Sequence, residues 1–318
     1  MKSAQENSPQ PPEVSATRAG ASKERWSLGQ ELWHSFAGHR MRYLRFGPTT
    51  VAEARHTPLL LLHGLLGYSF SWRHNLKAFA RKRTVYAVDL AGAGYSDRPG
   101  RGALDLSLPA TARRMLDFIS ALGIRQLDLL GTSHGGALAL MMCALSEPAN
   151  PKLDQRLIRR VVLVAPTNPW SRAGRMRIEF LRTPLGGWIA RQSISRLRSA
   201  RSIAIRRLYG DPAKVSQETV EGYSRVMDLP GTADYCLEIV KTWQQDMSQL
   251  KERLSSVAVP VLLIWGDLDR AVRPASGRDL AANLKSSELV IMPGAGHMPY
   301  EEAPREFNEL AMNYLDSS

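Results

Sequence analysis

Leu127-Asp-Leu-Leu-Gly131-Thr-Ser133-His-Gly-Gly136-Ala137-Leu-Ala-Leu-Met-Met-Cys-Ala-Leu145 is the stretch on which the fold turns. Gln126 to Leu130 is a short apolar run that reads as a strand, and Ala137 to Leu145 is rich in helix formers. Between them Gly131 to Gly135 has the form G-x-S-x-G. A strand that passes into a helix through so few residues must bend sharply, which leaves the serine strained and its hydroxyl exposed. Glycines two residues either side remove Cβ atoms that would strike the neighbouring strand and helix. A Gly-rich turn in some other α/β protein is the competing reading of these five residues taken alone.

The same alternation continues outward in both directions. Strand-like runs lie at Arg40–Phe46, Pro58–His63, Thr84–Asp89, Val161–Val164, Val259–Trp265 and Glu288–Ile291. Helical patterns lie at Leu76–Arg81, Pro109–Leu122, Ala275–Leu284 and Pro304–Leu315. Short apolar strands alternating with helices predict βαβ units, hence a mostly parallel sheet covered on both faces. One interval breaks the rhythm: roughly 95 residues separate Val164 from Val259, far more than a crossover needs. We read an inserted helical cap over 167–258, set in a core made of 26–166 and 259–318.

Residues 1–25, rich in Pro, Ser, Ala and charge, read as a disordered tail. They contain no apolar segment of the secretory kind, and Glu6, Glu13 and Glu24 argue against a transit peptide. No run approaches the 18 apolar residues that suggest a membrane-spanning helix. Two cysteines, Cys143 and Cys236, make no disulfide framework, so a cytoplasmic location is the expectation. The net charge of +12 is regional. Ten arginines against the single acid Glu179 lie between Trp170 and Arg207, nine excess positive charges. A solvated basic surface is the plainer reading. The stretch carries no nucleic-acid motif and few interleaved aromatics, so nucleic acid is not the expected partner. Arginines alternate with Phe180, Leu181, Leu185, Trp188 and Ile189, a pattern suited to peripheral contact with an anionic membrane, although Pro184 and Gly186-Gly187 interrupt it. Trp170, Met176 and these same apolar residues would line a pocket or, more simply, form the cap's own small core.

A serine hydroxyl needs a base to become a nucleophile at neutral pH. The order Ser, Asp or Glu, His that accompanies this turn places the base late. His297, in Gly294-Ala-Gly-His297-Met-Pro299, follows the last strand; the other six histidines lie too early or within other motifs. Two carboxylates, Asp267 and Asp269, follow strand Val259–Trp265. Asp269, further along the loop, is favoured to orient the imidazole, and Asp267, against the strand end, to brace the turn. A developing oxyanion needs fixed donors. The backbone N–H groups of His134, after the nucleophile, and of Leu65, in the loop His63-Gly64-Leu65-Leu66-Gly67, are the candidates.

Taken together, His63-Gly64, Asp89-Leu-Ala-Gly-Ala-Gly-Tyr-Ser-Asp97-Arg-Pro, Gly131–Gly136, Gly266-Asp-Leu-Asp269 and Gly294–His297 resemble the successive signatures of the α/β-hydrolase superfamily. The resemblance spans approximately residues 36 to 315. It implies an eight-stranded, mostly parallel sheet flanked by helices, with a helical cap between strands six and seven. The regions around Trp72 and Asp89 are also similar to those of haloalkane dehalogenases and epoxide hydrolases. Those relatives place aspartate where this chain has Ser133, which disfavours their chemistry. The expectation is a serine esterase acting on a small, apolar ester through an acyl-enzyme, with no metal or organic cofactor. Carbon–carbon or amide bond cleavage by the same triad, and a non-catalytic ligand-binding protein on the same fold, are the other readings.

Overall fold

Four consecutive leucines can form a strand only where both faces are covered, since alternate side chains point to opposite sides of a sheet. In the computed structural model of the chain, which describes residues 29–48, 54–146, 156–171, 175–196 and 198–317, Leu59–Leu62 is such a strand. The expected tail lies outside the described residues. The side chains of 175–177, 195, 196 and 198 are also outside the description. The strands β1 (Gln30–Phe36), β2 (His39–Phe46), β3 (Leu59–Leu62), β4 (Val85–Val88), β5 (Leu127–Thr132), β6 (Ile158–Val164), β7 (Val261–Gly266) and β8 (Ser287–Met292) form one sheet. Their order is β1-β2-β4-β3-β5-β6-β7-β8. The pairs β1/β2 and β2/β4 are antiparallel, and all others are parallel. The eight-stranded α/β sheet expected from the sequence is therefore present.

The helices divide between the two faces. On one side α2 (Leu108–Ala121) and α3 (His134–Ser146) pack with Leu60, Leu62, Leu129 and Leu163. On the other, Phe79 of α1 (Leu76–Phe79) and Phe307, Ala311 and Leu315 of the C-terminal helix (Pro304–Asp316) meet Leu59, Leu61, Leu130 and Val162. The segment HGGALALMMCALS of α3 has almost no polar face, as a helix enclosed between sheet and further helices requires.

Among the described residues five α-helices lie between β6 and β7: α4 (Arg175–Arg182), α5 (Pro184–Arg196), α6 (Arg198–Arg206), α7 (Gln217–Met227) and α8 (Thr232–Arg253). The last descends onto the core, where Ile239, Met247 and Leu250 join the cluster around α2 and α3. Asp246 of α8 accepts a hydrogen bond from the Leu108 backbone N–H at 3.1 Å. Pro184 and Gly186-Gly187, read from the sequence as interruptions, are the opening turn of α5. Pro184 occupies the first helical position, where its missing N–H costs nothing. The Thr183 hydroxyl accepts from the Gly186 N–H at 3.0 Å, the ordinary capping geometry. A side chain at Gly186 would collide with the Phe180 carbonyl, so α4 and α5 approach closely. The remaining helices are α9 (Pro274–Ala282), α10 (Pro299–Glu302) and α11, the C-terminal helix given above. Cys143 and Cys236, on α3 and α8, are buried free thiols.

Candidate active site

In an open parallel sheet the loops leaving the carboxyl ends of the strands share one edge, where sites assemble. Here that edge gathers the loops after β3, β5, β6, β7 and β8. Ser133 sits between β5 and α3 with φ of 52°, a left-handed value unusual for a residue with a side chain. The bend is held from both sides: Ser133 N–H donates to the Val164 carbonyl at 2.9 Å, and its own carbonyl accepts from Thr167 N–H at 3.0 Å. The flanking glycines are sterically necessary. A Cβ at Gly131 would strike the Gly135 carbonyl, one at Gly135 the Leu62 and His63 carbonyls, and one at Gly136 the Pro166 ring.

His297 and Asp269 come together. His297 Nδ1 lies 2.7 Å from Asp269 Oδ2, both residues being buried. The other carboxylate oxygen, Oδ1, accepts from Ala271 and Val272 N–H at 2.7 and 2.9 Å, so the carboxylate is fixed by three contacts rather than by one. Asp267 goes elsewhere: its Oδ1 accepts from the Gly294 N–H at 2.7 Å, in the loop that carries His297. Ser133, His297 and Leu65 all line one cavity of about 620 Å³. Gly64 stands against the serine, since a Cβ there would lie 3.2 Å from Ser133 Cβ. His134 is buried as the first residue of α3. Burial, with a smaller contribution from the neighbouring His63, lowers its imidazole pKa to about 4. His63 is itself lowered by burial. It braces the loop: Nδ1 meets the Gly64 carbonyl at 2.8 Å, and Nε2 accepts from Leu90 N–H at 3.0 Å.

Two acidic residues that the sequence reading passed over support the site from beneath. Glu302 is buried, and burial raises its pKa. It accepts from Gly296 N–H and Gly210 N–H, both at 2.7 Å, tying the histidine loop to the cap. Close by, the His297 N–H donates to the Leu208 carbonyl at 2.6 Å. Glu301 is equally buried and accepts from Arg73 at 2.6 Å and Tyr209 at 2.7 Å, as well as from the Tyr223 hydroxyl. Tyr223 and Tyr300 present a polar wall to the cavity.

The helices between β6 and β7 supply the opposite wall, but not with the residues that the sequence suggested. Ser193 and Ile194 of α5 and Ala200, Ala204 and Ile205 of α6 face the cavity. Phe180, Leu185, Trp188 and Ile189 are exposed instead, and Trp170 is half-buried against the core. The side chain of Met176 lies outside the description. Helical spacing alone could not tell the outer face of the hairpin from the inner one. Asp228 and Asp234, later in the chain, return to pair with Arg201 at 2.6 Å and Arg191 at 2.8 Å, so part of the arginine cluster is neutralised.

Comparison with known proteins agrees with this architecture. Residues 57–304 match the family model described as the alpha/beta hydrolase fold. The chain is 31% identical over 262 residues to the dihydrolipoyllysine-residue acetyltransferase component of an acetoin cleaving system from Pseudomonas putida, covering 81% of this chain and 63% of that one. It is 24% identical over 292 residues to epoxide hydrolase 3 of Xenopus tropicalis, covering 89% and 77%. Among solved structures, a membrane phospholipase A superposes with a TM-score of 0.74 at 22% identity, over 92% of this chain and 87% of that one. A meta-cleavage product hydrolase gives 0.72 at 19%, over 92% and 100%. The sheet order, the bend at Ser133 and the family match lead to one conclusion: this chain belongs to the alpha/beta hydrolase family.

Proposed function

We propose that the chain is a serine hydrolase that cleaves a carboxylic ester, with Ser133 as nucleophile, His297 as general base and Asp269 as the group that orients it. The observation that carries the reading is the 2.7 Å pair of His297 and Asp269 opening into the same cavity as Ser133, whose φ is 52°. A side chain is kept in a strained conformation where the surroundings over-determine it, as happens at reacting centres. In this reading Ser133 Oγ bonds to the substrate carbonyl carbon while its proton passes to His297 Nε2. The carbonyl electron pair moves to oxygen, where the N–H groups of Leu65 and His134 stabilise it. Collapse breaks the bond to the alcohol, which leaves with the proton from His297. Water then gives a proton to His297 and attacks the acyl carbon, and Ser133 recovers its proton as the acid departs. Asp269 keeps the Nδ1 proton in place throughout. No step calls for a metal or organic cofactor.

A cavity of about 620 Å³ bounded by Leu65, Ile194, Ile205 and Met227 favours a small, largely apolar acyl group. The test is labelling with a fluorophosphonate probe beside a panel of p-nitrophenyl esters of increasing acyl length. Labelling at Ser133, and turnover that Ser133→Ala lowers by about 10⁶, are expected. A variant that keeps a tenth of the activity would refute Ser133 as nucleophile.

A further inference from the structure

Most of the large apolar side chains left exposed among the described residues belong to the helices between β6 and β7. Among the described residues the large exposed ones are Phe180, Leu185, Trp188, Ile189, Ile203 and Leu268, at 39 to 62% exposure. The first five lie on α4, α5 and α6, and the sixth stands next to Asp269. Single exposed apolar residues scattered over a surface need no explanation, whereas a concentration of this kind marks a binding face. Leu185, Trp188 and Ile189 fall at i, i+3 and i+4, one stripe of α5. Four residues further along the same stripe stands Ser193, which lines the cavity. The capping bond at Thr183 and the close approach at Gly186 fix Phe180 beside this stripe. On α6, Ile203 precedes Arg207 by one turn, and Arg207 also lines the cavity.

Exposed cations lie on the same segments as these side chains. Arg207 and Arg270 line the cavity and are exposed, and Arg182, Arg273 and Arg278 are exposed nearby in sequence. Glu179, Asp267, Asp269 and Asp279 are the acids on the same segments; Asp269 is buried against His297, and Glu179 meets Arg182 at 3.4 Å. We propose that this face of the cap, with the mouth of the cavity, docks on an anionic lipid surface, seating Leu185, Trp188 and Ile189 among the acyl chains. Apolar side chains rimmed by arginine match the two layers such a surface offers: hydrocarbon below, anionic headgroups above. A second copy of this chain is a poorer occupant, because it would bring two strongly basic faces together. No described helix is long and apolar enough to cross a membrane, and the proposed contact is with the lipid surface. The proposal rests on the cap surface and not on the Ser133 reading, and binding is measured without turnover.

The experiment is partitioning of the full chain onto vesicles of phosphatidylcholine alone or mixed with phosphatidylglycerol, at low and high salt. Each cation at an anionic surface strengthens partitioning about fivefold, so Arg182, Arg207 and Arg270 together give about a hundredfold preference for the anionic vesicles. High salt should remove most of that preference. The triple variant Leu185→Ser, Trp188→Ser, Ile189→Ser should bind about a hundredfold more weakly, with an unchanged thermal unfolding midpoint because the three side chains are exposed. Partitioning indifferent to lipid charge and salt, or a triple variant that binds as the wild type does, would overturn the proposal. So would a wild-type chain that ignores vesicles and sediments as a dimer that the triple variant dissociates.

Discussion

Two aspartates two residues apart do different work because their oxygens face different donors. Asp269 spends one oxygen on His297 and the other on the turn at Ala271 and Val272. Asp267 holds only the Gly294 N–H. Asp269→Asn offers His297 an amide that stabilises the wrong tautomer, and we expect kcat/KM on a p-nitrophenyl ester to fall about 10⁴-fold. Asp267→Asn keeps an acceptor for Gly294 and should cost less than about tenfold. Equal losses would count against this division of roles. At His134 the consequence is thermodynamic. Its pKa falls from 6.5 to about 4 on folding, so between those values the unfolded chain binds a proton that the native chain does not. Its contribution to stability is complete above pH 6.5 and is lost as pH falls toward 4, by up to roughly 3 kcal/mol. Urea melts across this range should show a shallower pH slope for His134→Gln; an identical slope would remove His134 as the source. His63 shifts in the same direction and leaves a residual slope.

Among the elements, those with a strong local signal were legible in the sequence. The leucines of β3, the G-x-S-x-G bend and the loops carrying Asp269 and His297 could be placed because burial and backbone strain dictate residue type there. β1 was not foreseen. Only Leu32 of its seven residues is buried, so period-two alternation is absent. The helices α4 and α5 were seen as one broken stripe because Pro184 reads equally as a break or as a helix start. Glu301 and Glu302 look like surface residues, and the groups that satisfy them include Arg73, Tyr209 and Gly210, far away in sequence. Local pattern carries no record of such long-range pairing. Glu302→Gln leaves one of two backbone donors facing an amide N–H₂, which we expect to cost about 1–3 kcal/mol and to lower kcat about tenfold by loosening the His297 loop. A denaturant melt and a KM that stays near the wild-type value would check both parts.

For the whole molecule, α8 is the element that packs the helices between β6 and β7 onto the core, and we expect the two to unfold together. A cap resting on the sheet edge alone would melt separately, but Ile239, Met247 and Leu250 share one apolar cluster with α2, α3 and the sheet. Tryptophan emission, which samples both regions through Trp188 and Trp243 on the cap helices and Trp265 on β7, should change at the same denaturant concentration as far-UV circular dichroism. Two separated transitions would show that α8 belongs energetically to the cap alone.

The bonds from His297 to Leu208 and from Glu302 to both Gly210 and Gly296 have a consequence for traffic through the cavity. They join residues 208–210, between α6 and α7, to the loop that bears His297. If His297 acts as proposed, a displacement of 208–210 would carry the base away from Asp269, and the serine would be activated only while the two segments stay joined.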